Sequence, residues 1–439
     1  MGTSRCRLLR GRHRKEGRTG RSGGAKFSLS VIRFCVFALL TGCVAFSANA
    51  HGKKPSARDR SFQEFVSSLW PLVEAHGVKR ETFDRAFANV RFDPKIVANT
   101  IEQPEFVEPI WQYIAGAVSP SRIARGRDLA RAERVWLSKA NKDYGVDSGV
   151  IMGIWGLETD FGAFTGTDNV VQALATLAFI HFRGDYFRNE LISALIILDD
   201  GEIDARRMLG SWAGAMGQTQ FMPSSFLIYA VDFEGSGRRD IWASAPDAIG
   251  STANFLAAHG WTRDLPWGFE VRLPDDFSLT DADSSKPAPF SAFAGRGVQR
   301  ADQASFPKSG EGRLLLPAGL RGPTFLVTSN FDVIKTYNTS TSYALAVALL
   351  GDAIEGGRGL VASWPTSDRP LNVNQVRRLQ AKLAKLGYNV GEIDGMVGES
   401  VQSAVRAYQE RKGLKPDGYA TLALLKRIES ERIGSAGLR

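Results

Sequence analysis

The sequence predicts a mainly α (α+β) chain that ends in a small three-helix module. Three observations carry this. Apolar residues recur at three- and four-residue spacing through most of residues 60–260. Residues 264–330 break into short β-prone pieces between prolines and glycines. After residue 371, two apolar helical stripes stand on either side of an Asp-Gly turn, and a second such turn follows.

In chain order, residues 1–33 hold ten Lys or Arg, five of them at Arg5, Arg7, Arg10, Arg12 and Arg14, and one acid, Glu16. This stretch accounts for the whole formal charge of +9, so the rest of the chain is neutral and a nucleic-acid partner is not expected. An apolar run from Phe34 to Phe46 follows, too short for a membrane-spanning helix. Ser47-Ala48-Asn49-Ala50 then offers a small-x-small cleavage site before His51. Residues 1–50 therefore read as an export signal, and the expected location is the periplasm. Leu40-Thr41-Gly42-Cys43 reads alternatively as a lipobox, which would anchor the chain to the outer membrane through Cys43. All three cysteines lie in this leader, so disulfides, thiolate catalysis and Cys-based metal sites are excluded from the mature chain.

Residues 51–59 read as a linker. A helical stripe begins with Phe62, Phe65, Val66, Leu69, Trp70 and Leu72, and further helices are expected near 80–89, 106–116, 121–144, 147–158, 170–180, 185–199, 246–258 and 341–350. Asp147 is placed to cap the helix that carries Glu158, and Gly162 to end it; Pro223 suits the first turn of another. Residues 264–330 form an irregular, β-prone subdomain within a 60–351 body. Residues 352–370, with Gly356, Gly357, Gly359, Pro365 and Pro370, read as a linker. Residues 371–430 carry the stripes Val376, Leu379, Leu383, Leu386 and Val401, Ala404, Val405, Tyr408, with turns at Asp394-Gly395 and Asp417-Gly418.

The chemistry concentrates in two segments. Gly153-Ile154-Trp155-Gly156-Leu157-Glu158 places one acid at the end of an apolar helix, where burial would keep it protonated near neutral pH. Residues 210–225 are rich in glycine and amides, which suits the close approach of a sugar chain. Asp160 is the nearest second carboxylate, but two residues along a helix it faces elsewhere, and a solvated or capping role is expected. His13, His51, His76, His181 and His259 show no metal-ligand spacing, and no Gly-x-Ser-x-Gly elbow stands out.

These segments resemble the membrane-bound lytic transglycosylase B family of peptidoglycan-cleaving enzymes over roughly residues 58–350. The resemblance rests on Gly156-Leu157-Glu158-Thr159, Gly214-Ala215-Met216-Gly217, Gln220-Phe221-Met222-Pro223-Ser224 and Asp247-Ala248-Ile249-Gly250-Ser251, supported by Gln103-Pro104-Glu105-Phe106 and Val118-Ser119-Pro120-Ser121-Arg122-Ile123. The C-terminal unit resembles the peptidoglycan-binding type 1 domain through Leu386-Gly387-Tyr388, Asp394-Gly395 and Gly413-Leu414, departing from it at Ala420.

The resemblance implies a lysozyme-like catalytic core with added helical and small mixed subdomains. It implies cleavage of the β-1,4 bond between N-acetylmuramic acid and N-acetylglucosamine, with a 1,6-anhydromuramoyl product. Glu158 would be the sole acid and base. Ser211 would orient it, and Gln220, Asn338 and Tyr343 would line the substrate cleft. Met216, Phe221 and Met222 would form apolar walls. The partner implied is the peptidoglycan glycan strand, with no cofactor and a monomeric chain. Residues 232–243 fall where some members carry an EF-hand-like calcium loop. Asp232, Glu234, Ser236 and Gly237 fit that pattern, but Ala243 stands where a chelating acid is required, so no metal is expected. Two other readings stay open: a muramidase that uses water, and an inactive wall-binding scaffold.

Overall fold

Helix formation follows the amphipathic pattern, and the places where it stops have local causes. The computed structural model describes residues 57–100, 108–279 and 286–431. The export signal, the lipobox with Cys43 and the Gln103-Pro104-Glu105-Phe106 motif lie outside the described residues. The first helical run is two helices, α1 (Ala57–Ser68) and α2 (Trp70–Ala75), because Pro71 sits in the first turn of α2 and cannot continue α1's hydrogen-bond ladder. Next come α3 (Arg80–Phe87), α4 (Pro94–Asn99) and α5 (Ile110–Ala117), the last starting after Pro109. The helix expected over 121–144 is also two, α6 (Pro120–Ala132) and α7 (Arg134–Tyr144), hinged at Glu133. The break lets α6 pack on α15 (Thr341–Ile354) and α7 on α12 (Ala245–Ala258).

At the centre runs α8 (Ser148–Thr159), buried on nearly every face. Around it stand α9 (Val170–Phe179), α10 (Tyr186–Asp199), α11 (Pro223–Tyr229), α12, α14 (Ser329–Tyr337) and α15. One continuous core joins Ile151, Met152 and Ile154 of α8 to Leu174 and Leu177 of α9, Leu191 of α10 and Leu345 of α15. Each such fully buried side chain contributes about 1.5–3 kcal/mol. Two-residue strands β1 (Asp168–Asn169) and β2 (Leu209–Gly210) pair antiparallel and pin the start of the glycine-rich segment.

Of the two readings of residues 264–330, irregular or a small β subdomain, the structure has the second. The strands β3 (Gly268–Arg272), β4 (Ala288–Pro289), β5 (Gln299–Arg300), β6 (Glu311–Leu315) and β7 (Thr324–Val327) form an antiparallel sheet in the order β4-β6-β7-β3-β5. Its own core includes Phe269, Phe290, Phe293, Leu314 and Leu326, with α13 (Phe290–Gly295) contributing the two middle phenylalanines.

The C-terminal module has the expected three helices, α16 (Val373–Lys385), α17 (Glu399–Arg411) and α18 (Leu422–Ser430), around Leu379, Leu383, Val405, Tyr408, Leu425 and Ile428. A buried amide braces each Asp-Gly turn. Gln380 donates to Asp394 (2.8 Å) and accepts from the Gly395 N–H (2.8 Å); Gln409 repeats this with Asp417 (2.7 Å) and Gly418 (2.8 Å). The segment expected as a linker, residues 352–370, makes contacts at several points. Its first residues finish α15, and the Glu270 carboxylate then accepts the N–H groups of Val361 and Ala362, both at 2.7 Å. Arg321 pairs with Asp368, and Asp417 accepts the Leu320 N–H at 3.4 Å.

Candidate active site

The site is built where α8 and α15 cross at close range. Gly149, Gly153 and Gly156 lie along one side of α8, and Gly351 lies on α15. A Cβ at Gly153 would overlap the Val347 carbonyl oxygen, and one at Gly351 would overlap that of Gly149. These positions therefore need glycine for lack of room. Asp147 does occupy the N-cap of α8, but its side chain makes no capping hydrogen bond. Burial, with Glu355 and Asp264 nearby, pushes its pKa up to about 6.

The close crossing brings Tyr343, in the first turn of α15, to the last turn of α8. Its hydroxyl donates to Glu158 Oε1 at 2.6 Å. Glu158 keeps partial solvent access, but protein crowds its carboxyl, and this desolvation pushes its pKa up to about 7 against the opposing hydrogen bond from Tyr343. Burial, and then the neighbouring Glu158 carboxylate, hold Tyr343 and Tyr337 well above the ordinary phenol range, so both stay protonated donors. The Tyr337 hydroxyl donates to the Thr219 carbonyl at 2.7 Å.

Immediately after Glu158 and Thr159 the chain turns back through three left-handed residues, Asp160, Phe161 and Gly162, with φ of 49°, 60° and 80°. Gly162 was expected to end the helix; the reversal begins two residues earlier. Asp160 cannot serve as a free second carboxylate, because Arg122 and Arg125 of α6 hold its two oxygens at 3.1 Å each.

Ser211, Gln220 and Asn338 each make hydrogen bonds within their own loops. The Ser211 hydroxyl accepts from the Ala215 N–H (3.1 Å) and closes its own turn; no hydrogen bond joins it to Glu158 among the described residues. Gln220 sits at φ 52° and donates to the carbonyls of Thr165 (3.1 Å) and Gly217 (2.9 Å), so its amide NH₂ serves the loop. Asn338 is exposed, just past α14, and accepts the Ser340 N–H at 3.0 Å. Tyr343 is 4% exposed, which removes its ring from any stacking on a sugar face and leaves its hydroxyl as the working group. Met216 and Phe221 are buried in the core, Met222 packs partly buried against it, and Phe221 packs on Tyr337.

Sequence reading passed over Tyr337, Gln218 and the α8 glycines. The four- and three-residue spacing of Gly149, Gly153 and Gly156 was the available signal for the last. For Gln218 there was none, since nothing distinguishes it locally from Gln220.

In the 232–243 loop the residues do not fit a calcium ion. Both oxygens of Asp232 are taken by the loop's own N–H groups at Gly235, Ser236 and Gly237, and Asp240 accepts those of Trp242 and Ala243. Arg239 lies in the loop as a fixed cation against Glu202 at 2.7 Å. Among the described residues no group of three His, Cys, Asp or Glu could hold a metal, and no helix is long and apolar enough to cross a membrane.

Comparison with known proteins agrees with this architecture. Residues 61–352 match the transglycosylase SLT domain family, and residues 372–428 match a peptidoglycan binding domain family. The membrane-bound lytic murein transglycosylase B of Escherichia coli K12 is 32% identical over 313 residues, which are 68% of this chain and 83% of that protein. The crystal structure of SltB3 from Pseudomonas aeruginosa in complex with NAG-anhNAM-pentapeptide is 43% identical, covers 84% of this chain and all of its own, and superposes with a TM-score of 0.80. The Escherichia coli lytic transglycosylase Slt35 in complex with calcium is 31% identical, covers 68% of this chain and 94% of its own, and gives a TM-score of 0.56.

Proposed function

The chain belongs to the transglycosylase SLT domain family of lytic transglycosylases, enzymes that cleave peptidoglycan glycosidic bonds, and we propose that it cuts between N-acetylmuramic acid and N-acetylglucosamine with Glu158 as its only acid and base. The observation that carries this reading is the Glu158 carboxyl, crowded by protein, held by the Tyr343 hydroxyl at 2.6 Å and raised to about 7, while Asp160, the nearest carboxylate in sequence, is locked in ion pairs. Protonated Glu158 gives its proton to the glycosidic oxygen as the C1–O bond breaks. The resulting carboxylate then takes the proton of the muramoyl C6 hydroxyl as that oxygen bonds to C1. The proton borrowed is returned, the sugar closes to a 1,6-anhydro end, and no water is consumed. The usual hydrolytic schemes pair the acid with a second carboxylate, as base or as nucleophile, and Asp160, the nearest in sequence, is ion-paired to Arg122 and Arg125.

The tyrosine hydroxyl on Oε1 favours Oε2 as the proton-bearing oxygen. Ser211 keeps its hydroxyl hydrogen to donate, and Asn338 keeps its Nδ2, which suits an acetamido carbonyl. We assign the catalytic body to residues 60–351 and the wall-holding module to 371–430, with export to the periplasm by residues 1–50 and anchoring through Cys43 as the alternative. The scale of general acid–base catalysis sets the test: Glu158→Gln lowers turnover of purified peptidoglycan by about 10²–10⁴-fold, while the protein still pellets with the wall. Undiminished cleavage by this variant removes Glu158 from the mechanism.

A further inference from the structure

We propose that Gln218 is a positioning residue for Glu158, acting as a buried clamp on the left-handed turn that ends α8. The problem it addresses is visible in the backbone. Left-handed φ is costly for a bulky residue such as Phe161 and persists only where surrounding contacts over-determine it. The turn begins two residues after Glu158, so any relaxation unwinds the helical turn that aims the carboxyl at Tyr343.

Two sets of contacts oppose that relaxation. On the outside, Arg122 and Arg125 grip Asp160, and Arg122 also donates to the carbonyls of Gly116 (3.1 Å) and Ala117 (2.7 Å) at the end of α5. On the inside stands Gln218, 6% exposed. Its Oε1 accepts from Trp155 Nε1 on α8 at 3.0 Å, and its backbone carbonyl accepts from Thr159 Oγ1 at 3.0 Å. Thr159 Oγ1 in turn accepts the Gly162 N–H at 2.9 Å, which closes the turn on itself. The Gln218 N–H donates to the Ile241 carbonyl at 2.8 Å and so ties the clamp to the wall behind it. Gly162 presses against the same amide: a Cβ there would come within 2.5 Å of Gln218 Oε1. Its glycine is needed for this contact as well as for φ.

The inference rests on Glu158 being the acid, and the two are tested separately. In the full chain, Gln218→Met keeps length and bulk but removes the acceptor from Trp155. The expected result is a fall in kcat of about tenfold, the size of one lost hydrogen bond expressed in a barrier, with KM within about twofold. The basic limb of the kcat–pH profile moves to lower pH, because a loosened carboxyl regains water. The other groups facing Glu158 are unchanged in this variant: Tyr343 on α15, Tyr337 on α14, Tyr113 on α5 behind Tyr343, and the Asp160–Arg122–Arg125 cluster.

Trp155→Phe should reproduce the effect, and the double variant should be no worse than either single one. The Trp155 indole N–H resonance, read without substrate, should shift in Gln218→Met whether or not Glu158 is the acid. A lowered melting temperature with kcat, KM and the pH limb unchanged overturns the proposal. So does additivity of the two substitutions. If Gln218→Met does not fold, Trp155→Phe alone decides: an unmoved pH limb in that variant overturns it equally.

Discussion

A carboxyl that must donate a proton near neutral pH needs an environment that penalises its charge more than its neighbours reward it. At Glu158, the proposed acid, burial supplies the penalty, and Tyr343 works against it by donating to Oε1. The sign of the Tyr343→Phe effect follows. Removing a donor that favours the charged form raises the Glu158 pKa further above 7, so the basic limb of the kcat profile moves to higher pH. Turnover at the optimum falls about tenfold as the orienting contact is lost. A limb that stays or moves down would mean that Tyr343 does not hydrogen-bond the acid during turnover. At this scale the sequence was informative about Glu158 because an acid at the end of an otherwise apolar helix is conspicuous. It was uninformative about its supports. Gln218, Arg122 and Tyr337 are ordinary polar residues whose meaning depends on partners 38 to 118 positions away.

Between elements, the decisive feature is the glycine-lined crossing of α8 and α15. Gly153→Ala places a methyl group on the Val347 carbonyl, a backbone atom that cannot swing aside. The helices must part, at a cost of about 1–3 kcal/mol, and the Tyr343–Glu158 contact opens with them. Thermal unfolding and turnover should therefore fall together in this variant. Full turnover despite lost stability would show that the crossing does not set the catalytic geometry. Most helices were legible from periodicity. The breaks at Leu69 and Glu133 were less so, because Pro71 lies inside a continuous apolar stripe and no proline or glycine marks the Glu133 hinge. The sheet was legible only in its central strands β3 and β7. The edge pairs β4 and β5 are two residues long, too short for alternation to register.

Across the whole molecule, the segment between the catalytic body and the C-terminal module reads in sequence as a linker because it is rich in glycine and proline. Its hydrogen bonds to Glu270 and the Arg321–Asp368 pair fasten it to the β-subdomain instead, interactions between distant positions that composition cannot reveal. Asp417 of the module accepts the Leu320 N–H of the β-subdomain, a further tie between the two. All of this architecture serves one claim, that a single carboxyl cleaves the glycan without water. The direct measurement is to digest purified peptidoglycan with the chain from His51 onward and weigh the muropeptides. The account predicts products ending in 1,6-anhydromuramic acid, one water lighter than hydrolytic products. Reducing muramic acid ends would contradict it, because they would show that water and not the C6 hydroxyl attacks C1.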